Sequence, residues 1–90
     1  MKTQAIKDLV GKVLNHLKRN HSWDEDIICQ VSITIDHKFR YEYDELVNNH
    51  GQDTVNRWIG RYAREITGLR NTGKRRKANG LIKTYTVLKP

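Results

Sequence analysis

The chain has 90 residues, a hydrophobic fraction of 37% and a formal net charge of +7. So short a chain supports one core, so a single domain is expected over residues 1–90. Cys29 is the only cysteine, which excludes an internal disulfide and a cysteine-rich zinc site, and no apolar run nears the roughly 18 residues needed to span a bilayer. The first twenty residues alternate charge with apolar positions instead of building a signal-peptide core, so the expectation is a cytoplasmic protein with no membrane partner.

Ile6, Leu9, Val10, Val13, Leu14 and Leu17 recur at the three- and four-residue spacing of one helical face. An amphipathic helix is predicted over about 3–19, with Thr3 as its N-cap and Lys18 and Arg19 at the negative end of its dipole. From Ile27 the period changes to two. Ile27, Cys29, Val31, Ile33 and Ile35 alternate with Ile28, Gln30, Ser32, Thr34 and Asp36, and the β-branched content predicts a half-buried strand.

The next stretch reads two ways. Phe39, Tyr41 and Tyr43 continue the alternation, as in a hairpin turning at 36–38, while Phe39, Tyr43, Leu46, Val47 and His50 keep helical spacing. The favoured reading is a short helix over 44–50, capped by Asp44 and ended by Gly51. Asp53 then caps a longer helix to about Thr67, with Gly68 as terminator. On a wheel, Val55, Trp58, Ile59, Tyr62, Ala63 and Ile66 gather on one side, so Trp58 and Tyr62 are assigned to the core, and Arg57, Arg61 and Arg64 gather opposite. The last segment, 69–90, holds two β-like stretches around a loop in which Gly73 and Gly80 bracket Lys74, Arg75, Arg76 and Lys77. This predicts a hairpin with a basic tip.

Charge is segregated along the chain. Residues 1–52 carry seven Lys or Arg against eight Asp or Glu, a net −1, whereas residues 53–90 carry ten against two, a net +8. A basic face kept only for solubility needs no such segregation, so the second part is read as a phosphate-binding surface.

The order of helix, strand, two helices separated by a glycine turn, and terminal basic hairpin resembles the winged helix-turn-helix DNA-binding domains. Thr54-Val55-Asn56-Arg57-Trp58-Ile59 is similar to the opening of a recognition helix in that group, and the loop 73–80 is similar to its wing. Only Gln52 and Asp53 separate Gly51 from Thr54, fewer than the family's usual spacing. The resemblance implies an α+β, winged-helix-like domain that binds double-stranded DNA, as a regulator or accessory factor, with a homodimer as one arrangement.

In that arrangement Asn56 and Arg57 meet base edges, because Arg pairs bidentately with guanine and Asn with adenine, and Arg61 and Arg64 meet phosphate. Lys74, Arg75, Arg76 and Lys77, with Arg70 at the base of the hairpin, neutralise the backbone. An RNA-binding or ribosome-associated module using the same surface, and an interaction or inhibitor domain docking on an acidic partner, are the alternatives. Catalysis is not expected. The four histidines are scattered without metal-ligand spacing, the single cysteine has no base beside it, and no glycine loop cradles a nucleotide phosphate, so neither metal nor cofactor is called for.

Overall fold

In a computed structural model describing residues 3–18, 25–78 and 81–89, the chain forms α1 (Gln4–Lys18), α2 (Ile27–Lys38), α3 (Arg40–His50), α4 (Gln52–Thr67), β1 (Arg70–Lys77) and β2 (Thr84–Lys89). It is a small α+β domain of four helices and a two-stranded antiparallel hairpin. The stripe of α1 is buried as its spacing predicts, and α1 packs most extensively on α4. The hydroxyls of Thr3 and Tyr62 share a hydrogen bond that ties the start of α1 to α4. Arg19, expected at the end of this helix, lies outside the described residues.

The predicted strand at 27–36 is instead α2. The confusion has a physical origin. Ile27, Val31 and Ile35 are four residues apart, a spacing in phase with both a period of two and, within about 40° per step, a period of 3.6. The residues that separate the two readings are those between. A strand would bury Ile33 and expose Ile28 and Ser32, whereas Ile33 is 44% exposed and Ile28 and Ser32 are 4% and 1% exposed. The only strands among the described residues pair with each other, so tertiary burial overrides the β propensity of this segment.

The helix predicted over 44–50 begins earlier, at Arg40, and the hairpin alternative through 36–43 is absent: Tyr43 is buried while Tyr41 is 81% exposed. Phe39 alone joins α2 to α3, its amide donating to the Ile35 carbonyl at 2.9 Å while its own carbonyl accepts from Tyr43 N–H at 3.1 Å. Arg40 spans this joint, reaching Asp36 at 2.6 Å and Asp44 at 2.9 Å.

Gly51 alone joins α3 to α4. Its φ of +88° is open to few residues other than glycine, and it lets the chain turn from one helix into the next while Gly51 N–H closes on the Val47 carbonyl at 2.8 Å. The cap predicted at Asp53 falls to Gly51, and Asp53 sits in the first turn, where a carboxylate suits the positive end of the dipole. Gly68, left-handed at φ +73°, ends α4 as expected.

Candidate nucleic-acid interface

The hairpin follows α4 directly, so the basic face of that helix and one face of the sheet lie side by side. The strand partners run Arg70 with Lys89 and Asn71 with Leu88, then Arg75 with Thr86, Arg76 with Tyr85 and Lys77 with Thr84, with an irregularity between Asn71 and Arg75. Thr72 Oγ1 donates to the Val87 carbonyl at 2.7 Å within this irregular stretch.

One expectation is corrected here. Lys74, Arg75, Arg76 and Lys77 lie in β1 and not at the tip. The connection, closed by Ala78 N–H donating to the Lys83 carbonyl at 2.7 Å, turns Leu81 and Ile82 into the core. Ile82 N–H donates to Ser32 Oγ at 3.1 Å, and Asn56 Nδ2 donates to the Leu81 carbonyl at 3.1 Å. Two apolar residues that the sequence offers as the start of a strand therefore peg the connection to α2 and α4.

Between α4 and the hairpin runs a groove of about 560 Å³. Arg57, Arg61 and Arg64 line it from the helix, one turn apart, and Arg75 and Lys83 line it from the hairpin. Asn71, Thr84 and Thr86 add an amide and two hydroxyls, Gly60 leaves part of the helical wall without a side chain, and Asp53 is the single acid in the lining. No ion pair among the described residues engages any of the five cations, although Arg75 donates to Thr84 Oγ1 at 3.0 Å. Glu65, the other acid of α4, instead meets Lys7 of α1 at 3.6 Å. Like charges one turn apart on a helix cost a few tenths of a kcal/mol per pair, about 0.2–0.5, so the arginine row is no device for stabilising α4. A row of guanidinium groups facing hydroxyls suits the oxygens of phosphate groups, which Arg binds bidentately.

The nine residues singled out from the sequence divide. Arg57, Arg61, Arg64 and Arg75 meet at the groove. Arg70 borders a second hollow instead, and Lys74 and Lys77 are exposed on β1. Asn56 borders the groove too, but its amide is already engaged: its Oδ1 accepts from the Tyr43 hydroxyl at 2.7 Å while its Nδ2 holds Leu81, so its amide joins α3, α4 and the hairpin and leaves little to offer a base edge. Arg76 turns away to Glu25 at 3.2 Å and Asp26 at 2.9 Å, where Asp26 also accepts from the Tyr85 hydroxyl at 2.8 Å. The carboxylate of Glu25 and the Tyr85 hydroxyl hold the Arg76 guanidinium charged, and burial with the neighbouring Asp26 pushes the Tyr85 phenol above its ordinary value. Burial likewise raises Tyr43.

Sequence reasoning missed Lys83, Thr84 and Thr86. The available signal was the alternation of Thr84 and Thr86 with the buried Tyr85 and Val87, which puts both threonines on the face away from the core.

Trp58, assigned to the core on the helical wheel, is only half-buried, and Ile66, on the same side of the wheel, is 41% exposed. Cys29 is a free thiol, half-buried, whose pKa burial raises, with the Asp26 charge adding to the effect. No three His, Cys, Asp or Glu side chains gather as a metal site among the described residues, and no described helix is long and apolar enough to cross a membrane. No protein-family model, curated protein or solved structure matches the chain.

Proposed function

We propose that the protein binds nucleic acid, double-stranded DNA foremost, as a small regulator or accessory factor, using α4 and the hairpin in the manner of a winged helix. The observation that carries this reading is the groove lined by Arg57, Arg61, Arg64, Arg75 and Lys83, cations that form no ion pair among the described residues, beside an outward row of threonines. Arg57 to Arg64 spans seven residues, about 10 Å of helix, against roughly 3.4 Å of duplex axis per phosphate on one strand. The row is therefore long enough to follow two or three phosphates while α4 lies along the duplex. Gly60 supports the same reading. A mid-helix glycine costs about 0.5–1 kcal/mol relative to alanine, and a Cβ there would touch nothing within 4 Å, so packing does not demand it, whereas a ligand approaching the helix backbone between Arg57 and Arg64 would.

Arg57, in the first turns of α4 and facing away from the core, is the residue for base recognition, and Arg61, Arg64, Arg75 and Lys83 are the backbone contacts. The test is a gel shift on random-sequence duplex DNA at several salt concentrations, followed by selection of a preferred site and competition with duplex RNA. Log affinity should fall against log salt with a slope of about −3 to −5, the signature of four or five neutralised phosphates. Arg57→Ala should lose about 1–3 kcal/mol on a preferred site and less on random DNA. Equal losses on both would reduce α4 to a phosphate clamp. Stronger competition by duplex RNA would move the reading to A-form backbone. Absence of salt-dependent binding to either would overturn it.

A further inference from the structure

On the far side of Arg61 and Arg64 from the first groove lies a second, more open hollow, bordered by Trp58, Arg61, Arg64, Gly68, Arg70 and Asn71. Arg61, Arg64 and Asn71 border both cavities, so the two are continuous across a ridge of guanidinium groups. Trp58 is an oddity there. It is a large ring, half-buried on a helix whose other core-side aromatic, Tyr62, is buried, and three arginines line the hollow it borders. The indole is held firmly, its centroid 5.3 Å from that of Tyr62 at a 30° tilt, with the Arg61 guanidinium carbon 5.0 Å from the ring centre. Glu65, the one acid at this hollow, is drawn off to Lys7.

Resting on the reading of the first groove as a nucleic-acid site, we infer that this hollow receives an unpaired nucleobase, stacked against the Trp58 and Arg61 pair, while its flanking phosphates sit on the Arg61 and Arg64 ridge. The physical case is the combination of groups. A planar apolar ring beside a planar cation offers a π-face to a base of any sequence, and the adjacent guanidinium groups supply the charge its phosphates need. A base inside an intact duplex cannot reach such a surface, so the preferred ligand is a duplex with a single-stranded tail, a bulge or a junction. Arg61 lines both cavities.

The experiment compares three DNA ligands at one salt concentration: a blunt duplex, the same duplex with a short oligo-dT tail, and the same duplex with a tail of abasic residues of equal charge. The expected result is about tenfold tighter binding of the dT tail than of the abasic tail, the size of one base–aromatic stack. In a Trp23→Phe background, which leaves Trp58 as the only tryptophan, the dT tail should quench the emission and the abasic tail should not. Trp58→Leu, which keeps apolar bulk, should abolish the difference between tails while leaving blunt-duplex affinity and melting temperature near the parent, and Trp58→Phe should restore most of it. Equal affinity for the two tails, or emission indifferent to the dT tail, overturns the stacking site and leaves the first groove standing. Failure to bind any of the three ligands overturns both.

Discussion

On β1, neighbouring arginines meet different surroundings. Arg75 faces the groove beside Arg57, Arg61 and Arg64, where it donates to the Thr84 hydroxyl and forms no ion pair among the described residues, whereas Arg76 is drawn to Glu25 and Asp26 at the start of α2. The same contrast extends across the sheet, where Thr84 and Thr86 share the face of Arg75 while Tyr85 and Val87 are buried. Four consecutive basic residues thus do not form one charge patch. Strand alternation sends every second side chain to the opposite face, and the acidic turn before α2 neutralises what arrives there.

The largest effect should come from the buried residues of β2. Leu88 is among the largest fully buried side chains, so Leu88→Ala should cost about 2–5 kcal/mol, comparable to the whole stability of a small domain, and denaturant unfolding would register it directly. A loss well under 1 kcal/mol would mean that the hairpin is only loosely attached, and the two-sided description would collapse.

Next comes the arginine row. Replacing Arg57, Arg61 and Arg64 together by Ala should lower the slope of log affinity against log salt by about 2 units, the share of the two phosphate contacts Arg61 and Arg64, while the protein melts near its parent, since all three are exposed. The single variants on β1 sharpen this. Arg75→Ala should take roughly 1 unit off the slope without touching stability. Arg76→Ala should leave the slope alone and lower the melting temperature, because it removes the ion pairs that tie β1 to Glu25 and Asp26. If both variants shift the slope equally, the ion pair opens on binding and the two faces are not distinct in function.

A smaller change is expected at Gly60. Gly60→Ala should stabilise α4 by about 0.5–1 kcal/mol and weaken binding at once, a stability gain with a functional loss that neither a core nor a simple surface position would give. Stabilisation with unchanged affinity would remove the helix backbone from the contact surface.

The smallest effect is confined to alkaline solution. Tyr85 and Tyr43 have raised pKa values in the folded state, chiefly through burial, so their contribution to stability is fully present below the unfolded value of about 10 and is lost as pH rises through the folded values. Tyr85→Phe should therefore blunt the fall in melting temperature above pH 10, and a fall as steep as the parent's would show that the phenol is not shielded against Asp26.

The amphipathic stripe of α1, the helix boundaries at Gly51 and Gly68, the outward row Arg57, Arg61 and Arg64, and the presence of a terminal hairpin were all legible in the residues. Each is a local matter, fixed by helical periodicity, by a backbone angle that favours glycine, or by strand-forming runs with a turn between them. What was not legible depended on partners distant in the chain. Whether 27–38 becomes helix or strand rested on Ile28 and Ser32 having a surface to enter, and that surface comes in part from Ile82, 50 residues on, whose amide bonds to Ser32. By sequence Asn56 reads as a base reader, because nothing near it in the chain reveals Tyr43 and Leu81 as its partners. By sequence Arg76 is indistinguishable from its basic neighbours, because Glu25 and Asp26 lie about fifty residues earlier. Charge content and helical facing are properties of a segment and can be read from it, but the neutralisation of a charge or the commitment of an amide is a property of a pair, and only the packed chain brings the second member into reach.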